Sequence, residues 1–359
     1  MEERKRKTNN IRNKQRVKQK AAALAKGKRI EEEEMRKSQL LQVKLNAARH
    51  QNEVLKEVLN LKRKRTETTN NFRAMPKTGI KSFKHLSQQT ARKALVNFLP
   101  SMPVILYENV ISSIKETGLK GTFGSLSIVK LKNLNNLVAA LKTISLTNST
   151  ELDVILEAKV MHAVSGHHLF PYCFGFIRPN KIVSQFLGSF LDTGECNVRT
   201  VQNVRGTGTL NKYQWVLICN QIIEGICFLH GLKILHNDIK SDNIILYGSI
   251  MTNVKIIDFG KSTLISKPVV YNLNSDAIAK YNVFHRHLAY ELRNVADTKQ
   301  SVFTDTYSVG HLVKYIGYYE KFDFLYETGR KLKTEFISSR MSLNQASVLF
   351  QLFLKDYSF

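Results

Sequence analysis

The stretch "ILHNDIKSDNIIL", Ile234 to Leu246, constrains the fold of this chain more than any other. Its apolar flanks belong in a core, yet His236, Asn237, Asp238, Lys240, Asp242 and Asn243 stand close together between them. Each unmet donor or acceptor in an interior costs about 1–3 kcal/mol, and an unpaired charge costs more. Two arrangements satisfy such a segment. It is either a solvated turn between two core elements or a cluster aimed at a charged ligand.

The neighbouring segments supply the frame. "WVLICNQIIEGICFLHG" predicts a buried helix over about 211–231, and its Asn220, Gln221 and Glu224 argue against a membrane span. "NIILYG" and "NVKIIDFGKS" read as a strand pair, which puts Asp258 at a strand end. Upstream, "SLSIVKLK" (125–132) and "NLVAALKTI" (136–144) bracket "NLNN" as a hairpin. The preceding "TGLKGTFGS" carries Gly118, Gly121 and Gly124, a turn whose backbone N–H groups can approach a phosphate because no Cβ intervenes. A helix follows, with Asn148 and Glu151 spaced as a capping box. On it Val154, Glu157, Met161 and Val164 share one face, and a carboxylate within an apolar stripe requires a cation. Lys142, alone in "VAALKTI", is the candidate.

Of the 359 residues, 43% are hydrophobic, enough for a sizeable core, while the net charge is +25. Residues 1–93 hold 27 Lys and Arg against nine Glu, so most of the surplus lies in an N-terminal extension. This extension and its linker, 1–93, read as basic and partly helical, with the folded domain over 94–359. Leu41, Leu45, Ala48, Asn52, Leu55 and Leu59 form a short heptad seam, consistent with weak self-association through 41–59. "RKRK" (Arg4–Lys7) and "KRKR" (Lys62–Arg65) suit an import receptor or non-specific contact with nucleic acid. The four cysteines lack metal-ligand spacing and read as thiols of a reducing compartment. With its charged N-terminus, the chain is expected inside the cell without a membrane anchor, in the nucleus rather than the cytoplasm.

Taken in order, these segments resemble the eukaryotic-type protein kinase family over about 105–350. His236 to Asn243 is similar to its H-R-D-L-K-x-x-N loop, and Asp258-Phe259-Gly260 to its D-F-G. "VAALK" matches the strand-3 lysine motif, Ala289-Tyr290-Glu291 stands where A-P-E occurs, and "DTYSVG" where D-x-W-S-x-G occurs. The resemblance implies an α+β, bilobal protein-kinase fold. Its β-rich N-lobe would span about 105–188 and its mostly helical C-lobe about 189–359.

It also implies an ATP- and Mg²⁺-dependent transfer to serine or threonine hydroxyls of protein substrates, Lys240 favouring that class over tyrosine. Asp238 would orient the hydroxyl and accept its proton, and Lys240 would neutralise the γ-phosphate. Lys142, held by Glu157, would reach the α- and β-phosphates. Asn243 and Asp258 would hold the metal. Gly118, Gly121, Phe123 and Gly124 would cover the nucleotide, with Leu126 and Ala140 on the adenine. Met161, His236 and Phe259 would couple the lobes, Asp305 would brace the loop backbone, and Arg340 would pair with Glu291.

The chain departs from the family pattern at several points. Leu119 occupies the place of the first loop glycine, and Gly118 stands beside it. Asn237 replaces the loop arginine that usually receives an activation-segment phosphate, which predicts activity without that phosphate. Tyr290 replaces the A-P-E proline, and the segment after the Asp305 helix is short. Ser262, Thr263, Ser266, Tyr271 and Ser275 are the modifiable hydroxyls of the segment. Two rival readings are a nucleotide-binding pseudokinase scaffold that docks partners through its tail and a small-molecule kinase. The presence of Lys142, Asp238 and Asp258 opposes the first, and the A-P-E-like and D-x-W-S-like elements oppose the second.

Overall fold

A computed structural model describes residues 88–357 except 106, 122–123, 148, 191–195 and 249. The heptad seam, both basic clusters and Phe123 lie outside the described residues.

Period-two patterning builds the first layer. Strands β1 (Val110–Gly121), β2 (Gly124–Leu131), β3 (Leu137–Ile144), β4 (Cys173–Ile177) and β5 (Lys181–Gln185) form an antiparallel sheet ordered β1-β2-β3-β5-β4. Val129, Leu131, Ala139, Leu141 and Val183 bury one face. The alternate residues, Leu126, Ala140, Lys142, Ile182 and Ser184, face the cleft below. The β2–β3 connection falls on "NLNN", where Asn135 and Asn136 adopt φ of 51° and 57°, a left-handed region that asparagine tolerates.

One helix backs this sheet at β4 and β5, and a second packs against that helix. Helix α2 (Glu151–Val164) starts two residues later than the Asn148–Glu151 spacing suggests. Its cap is Thr150, whose extended backbone lets Asp153 accept from the Thr150 N–H at 2.8 Å; Asn148 lies outside the described residues. Helix α1 (Gln88–Phe98) straddles position 93 and is packed, not linker-like. Ala91, Leu95 and Leu99, four residues apart, bury one stripe of it, and Arg92 pairs with Asp153 of α2. Helix α1 has no basic residue in its own last turn. Lys159 of α2 instead donates to the Val96 and Leu99 carbonyls at 3.0 and 3.3 Å.

The second lobe is mostly helical. Short strand pairs β6 (Ser189–Phe190) with β7 (Cys196–Asn197), β8 (Arg199–Thr200) with β10 (Ile244–Tyr247) and β10 with β11 (Asn253–Ile256) lead into it. Helix α3 (Val201–Val204) precedes α4 (Lys212–Gly231), which Asn211 and Gln214 cap reciprocally at 2.9 and 2.8 Å. Strand β9 (Ile234–Leu235) pairs with β12 (Thr263–Leu264), and β13 (Val270–Tyr271) with β14 (Thr298–Lys299). Helices α5 (Ser275–Phe284), α6 (Tyr290–Asn294), α7 (Val302–Tyr319), α8 (Asp323–Leu332) and α9 (Leu343–Asp356) complete it. Helices α7 and α8 meet backbone to backbone, because a Cβ at Gly329 would stand 2.2 Å from the Lys314 nitrogen.

Cys173 and Cys219 are free and buried, and burial pushes the Cys173 thiol up to about 12. No described helix is long and apolar enough to cross a membrane.

Leu95 is fully buried between the lobes' shared core and α2. Leu95→Ala is expected to destabilise the domain by about 2–5 kcal/mol in denaturant unfolding. A loss under about 0.5 kcal/mol would show that α1 is not part of the cooperative unit.

Candidate active site

The cleft between the lobes is a cavity of about 1130 Å³. Gly124, Leu126, Ala140, Lys142 and Glu157 line it from above, and Lys240, Asn243 and Asp258 from below. Gly118 and Gly121 lie on β1, whose pairing with β2 is irregular between Glu116 and Lys120. Gly124 opens β2, and a Cβ there would come within 2.0 Å of the Thr143 carbonyl, so the hairpin admits only glycine at this position.

The carboxylate in the apolar stripe of α2 meets its cation: Lys142 Nζ donates to Glu157 Oε1 at 2.7 Å. Asp258 Oδ1 lies 3.7 Å from the same nitrogen. Burial alone would drive the ammonium toward its neutral form. The two carboxylates more than offset this and hold the Lys142 pKa above its ordinary value. Lys142 is thus a fixed positive charge at the cleft wall.

Beneath it, one carboxylate sets the polar octapeptide. Asp305, buried in the first turn of α7, accepts from the His236 and Asn237 backbone N–H groups, each at 2.9 Å. His230 Nε2 lies 3.0 Å from the same side chain. Burial would raise the Asp305 pKa, but the His230 hydrogen bond and the neighbouring imidazoles keep it below the ordinary value. These bonds hold Asn237 at φ 66°. His236 packs tilted against Phe259, ring centroids 5.3 Å apart, and places Nε2 3.2 Å from the Ile257 carbonyl, while burial lowers its pKa. The ring is therefore a neutral core element. Arg340 grips Glu291 with two bonds, at 2.8 and 3.0 Å.

Asp238 carries more partners than its sequence neighbours suggest. Lys240 Nζ donates to Oδ2 at 3.0 Å and Lys261 Nζ to Oδ1 at 2.9 Å, and His287 Nε2 sits 3.1 Å from Oδ1. Burial would raise its pKa. The His287 hydrogen bond and the charges of Lys261 and Lys240 prevail and hold the carboxyl well below the usual range. Asn243 Nδ2 donates to the Asp238 carbonyl at 2.8 Å, which leaves the oxygen side of its amide for a cation beside Asp258.

Lys261 and His287 were missed in the sequence. The first directly follows D-F-G with nothing to mark it, and the second lies 49 residues from its partner. Among the activation-segment hydroxyls, Ser262 and Thr263 are buried, whereas Ser266 and Ser275 are exposed.

A fixed ammonium, two carboxylates and an amide oxygen around one cleft define a site built for a polyphosphate and a hard cation. Comparison with known proteins agrees. The model of the protein kinase domain family matches residues 113–347, and the chain belongs to that family. Serine/threonine-protein kinase mig-15 of Caenorhabditis elegans is 32% identical over 144 residues, covering 37% of this chain and 12% of that protein. Serine/threonine-protein kinase 10-A of Xenopus laevis is 28% identical over 144 residues, covering 40% and 14%. Myosin light chain kinase 2, skeletal/cardiac muscle, of Oryctolagus cuniculus is 29% identical over 140 residues, covering 39% and 22%. The chain thus spans less than a quarter of the length of these relatives.

Asp305→Asn is expected to cost about 2–3 kcal/mol at neutral pH, since hydrogen bonds to a buried charge are lost. The Asp305 pKa is depressed on folding, so its contribution is full above the unfolded value of about 4 and fades as pH falls toward the folded one. Melting curves of wild type and variant should therefore converge below about pH 4. A gap independent of pH would contradict a charged Asp305.

Proposed function

We propose that this chain is an ATP- and Mg²⁺-dependent serine/threonine protein kinase that needs no phosphate on its activation segment. The observation that carries the reading is the assembled Lys142–Glu157 pair facing Asp258, above an Asp238 held ionised in the same cleft. Phosphoryl transfer asks the protein for positioning and charge neutralisation more than for covalent chemistry.

ATP, when bound, supplies the phosphoryl group, and Mg²⁺ would offset its charge. Lys142 would bind the α- and β-phosphate oxygens, and Asn243 and Asp258 would hold the cation as oxygen donors. The glycines of the β1–β2 hairpin would let the backbone approach the phosphates, with Leu126 and Ala140 against the base. Asp238 would orient the substrate hydroxyl and take its proton late, because so acidic a carboxyl is a weak base. Lys240 would leave Asp238 for the transferring phosphate, while Lys261 and His287 keep the carboxylate in place.

Independence from phosphorylation rests on Asn237. Its Nδ2 donates to the Lys261 carbonyl at 3.0 Å and to Thr263 Oγ1 at 2.9 Å. Thr263 in turn donates to Gln300 Oε1 at 3.1 Å, which also accepts from the Val269 N–H at 3.1 Å. Neutral hydrogen bonds thereby tie the loop to the segment where the family's arginine would await a phosphate. The basic clusters of the extension support nuclear import. A fluorescent fusion is expected to leave the nucleus when both are neutralised, and unchanged nuclear retention would contradict this.

The test is transfer from radiolabelled ATP to a generic basic protein after phosphatase treatment of the enzyme. Phosphoserine and phosphothreonine should form at an undiminished rate, and Asp238→Asn should lower it by about 10²–10⁴. Asn237→Ala should lower kcat by about tenfold, the value of one or two lost hydrogen bonds. Nucleotide binding without transfer in the wild type would favour the scaffold reading.

A further inference from the structure

Outside the cleft, a second cavity of about 420 Å³ opens between α5, α6, α7 and α8. Arg286, Arg293, Lys314, Arg330 and Lys333 line it, against the single carboxylate of Glu335. Arg293 is buried, and all its hydrogen-bond partners are neutral: the Leu288 carbonyl at 3.0 Å, the Tyr307 hydroxyl at 3.2 Å and the Asn282 side chain. Lys333 and Lys314 lie over the rings of Tyr307 and Tyr326, at 5.6 and 4.9 Å. Among the described residues, only Arg330 of the five reaches a carboxylate, Glu327 at 2.8 Å. The cluster is short of anions. Burial, and then the charges of Lys314, Arg293 and Arg286, lower the Lys333 pKa.

We propose that this cavity binds a phosphate monoester on the protein substrate, so that the kinase prefers substrates already phosphorylated a few residues from the accepting hydroxyl. This rests on the kinase reading above and adds the substrate class. The four cations without a carboxylate partner among the described residues, Arg286, Arg293, Lys314 and Lys333, around one open pocket match the nearly double charge and three acceptor oxygens of a phosphate monoester better than a single carboxylate. Position supports the substrate as the source. Arg286 is the chain neighbour of His287, whose imidazole touches Asp238. A few residues of extended peptide, about 3.3 Å each, would bridge the pocket and the cleft. A nucleic acid fits less well, since the basic residues surround a pocket and its lining tyrosine, Tyr307, is buried and not free to stack on bases.

The experiment uses the full chain and serine peptides that carry a second serine, free or phosphorylated, at each spacing from four residues before to four after the acceptor. One spacing should lower KM at least about tenfold relative to the unphosphorylated peptide, the worth of one or two charged hydrogen bonds. The Lys314→Gln/Lys333→Gln variant should lose that preference and keep kcat/KM for the unphosphorylated peptide within about twofold. Arg286→Gln should behave in the same way, which guards against a folding defect in the double variant. Calorimetric binding of the phosphopeptide to Asp238→Asn protein reads the pocket without catalysis. Equal KM at every spacing with no calorimetric binding would overturn the pocket while leaving the kinase intact. Binding that the double variant abolishes, with no transfer to any peptide, would overturn the kinase reading and uphold the pocket. Tighter binding of an oligonucleotide than of any phosphopeptide would overturn the proposed occupant.

Discussion

The buried carboxylate of Asp305 is the interaction on which the rest of the site depends. Two backbone N–H groups of the polar octapeptide end on it, and His230 fixes it from the side. Without that acceptor, two buried amides would be left unmet in a segment that already holds Asn237 in the left-handed region. With it, Asp238 enters the cleft at a set angle, and Lys240 and Asn243 follow from the same short stretch. Most of the dense polarity of "HNDIKSDN" is thereby met in two directions, inward by a fixed carboxylate and outward by the cleft, while Asn237 Oδ1 stays buried without a partner among the described residues.

Charge balance explains the remaining arrangement. The upper wall offers one cation held by two carboxylates, and the lower wall offers one carboxylate held by Lys240, Lys261 and His287. Each buried charge has its counter-ion before any ligand arrives, so the cleft can stay assembled while empty. Asn237 extends this economy to the activation segment with neutral bonds to the Lys261 carbonyl and Thr263, the basis of the proposed independence from an added phosphate. The second cavity is the counter-example. There the cations outnumber the acids, and the imbalance itself points to an incoming anion.

Much of this was legible in the sequence because the signals were local or periodic. The lone Lys142 and the carboxylate in the α2 stripe each implied a partner, and the pair formed across the strand–helix connection. The octapeptide and D-F-G could be placed from residue order, and the Glu291–Arg340 pair only through the family resemblance. Other features came from tertiary geometry. His287 and Lys261 reach Asp238 only because the segment folds back over the loop, and no spacing records that. The cap of α2 went to Thr150 and Asp153 because backbone conformation, not the spacing of Asn148 and Glu151, selects the cap. Helix α1 did carry a readable stripe at Ala91, Leu95 and Leu99, but it begins within a segment that reads as a linker, where the charge thins after Pro76 and Gly79 appears. Arg293 lies just past the A-P-E-like stretch, and nothing in its spacing marks it as buried.

In the proposed function, Asp305 and Asn237 hold the backbone of the catalytic loop in its working geometry without a phosphate on the activation segment. Residue-resolved amide hydrogen exchange on phosphatase-treated, nucleotide-free protein tests this most directly. Strong protection of the His236 and Asn237 amides, comparable to that of the α4 core, is the result this account requires. Exchange as fast as that of an exposed loop, slowed only after the activation segment is phosphorylated, would contradict it.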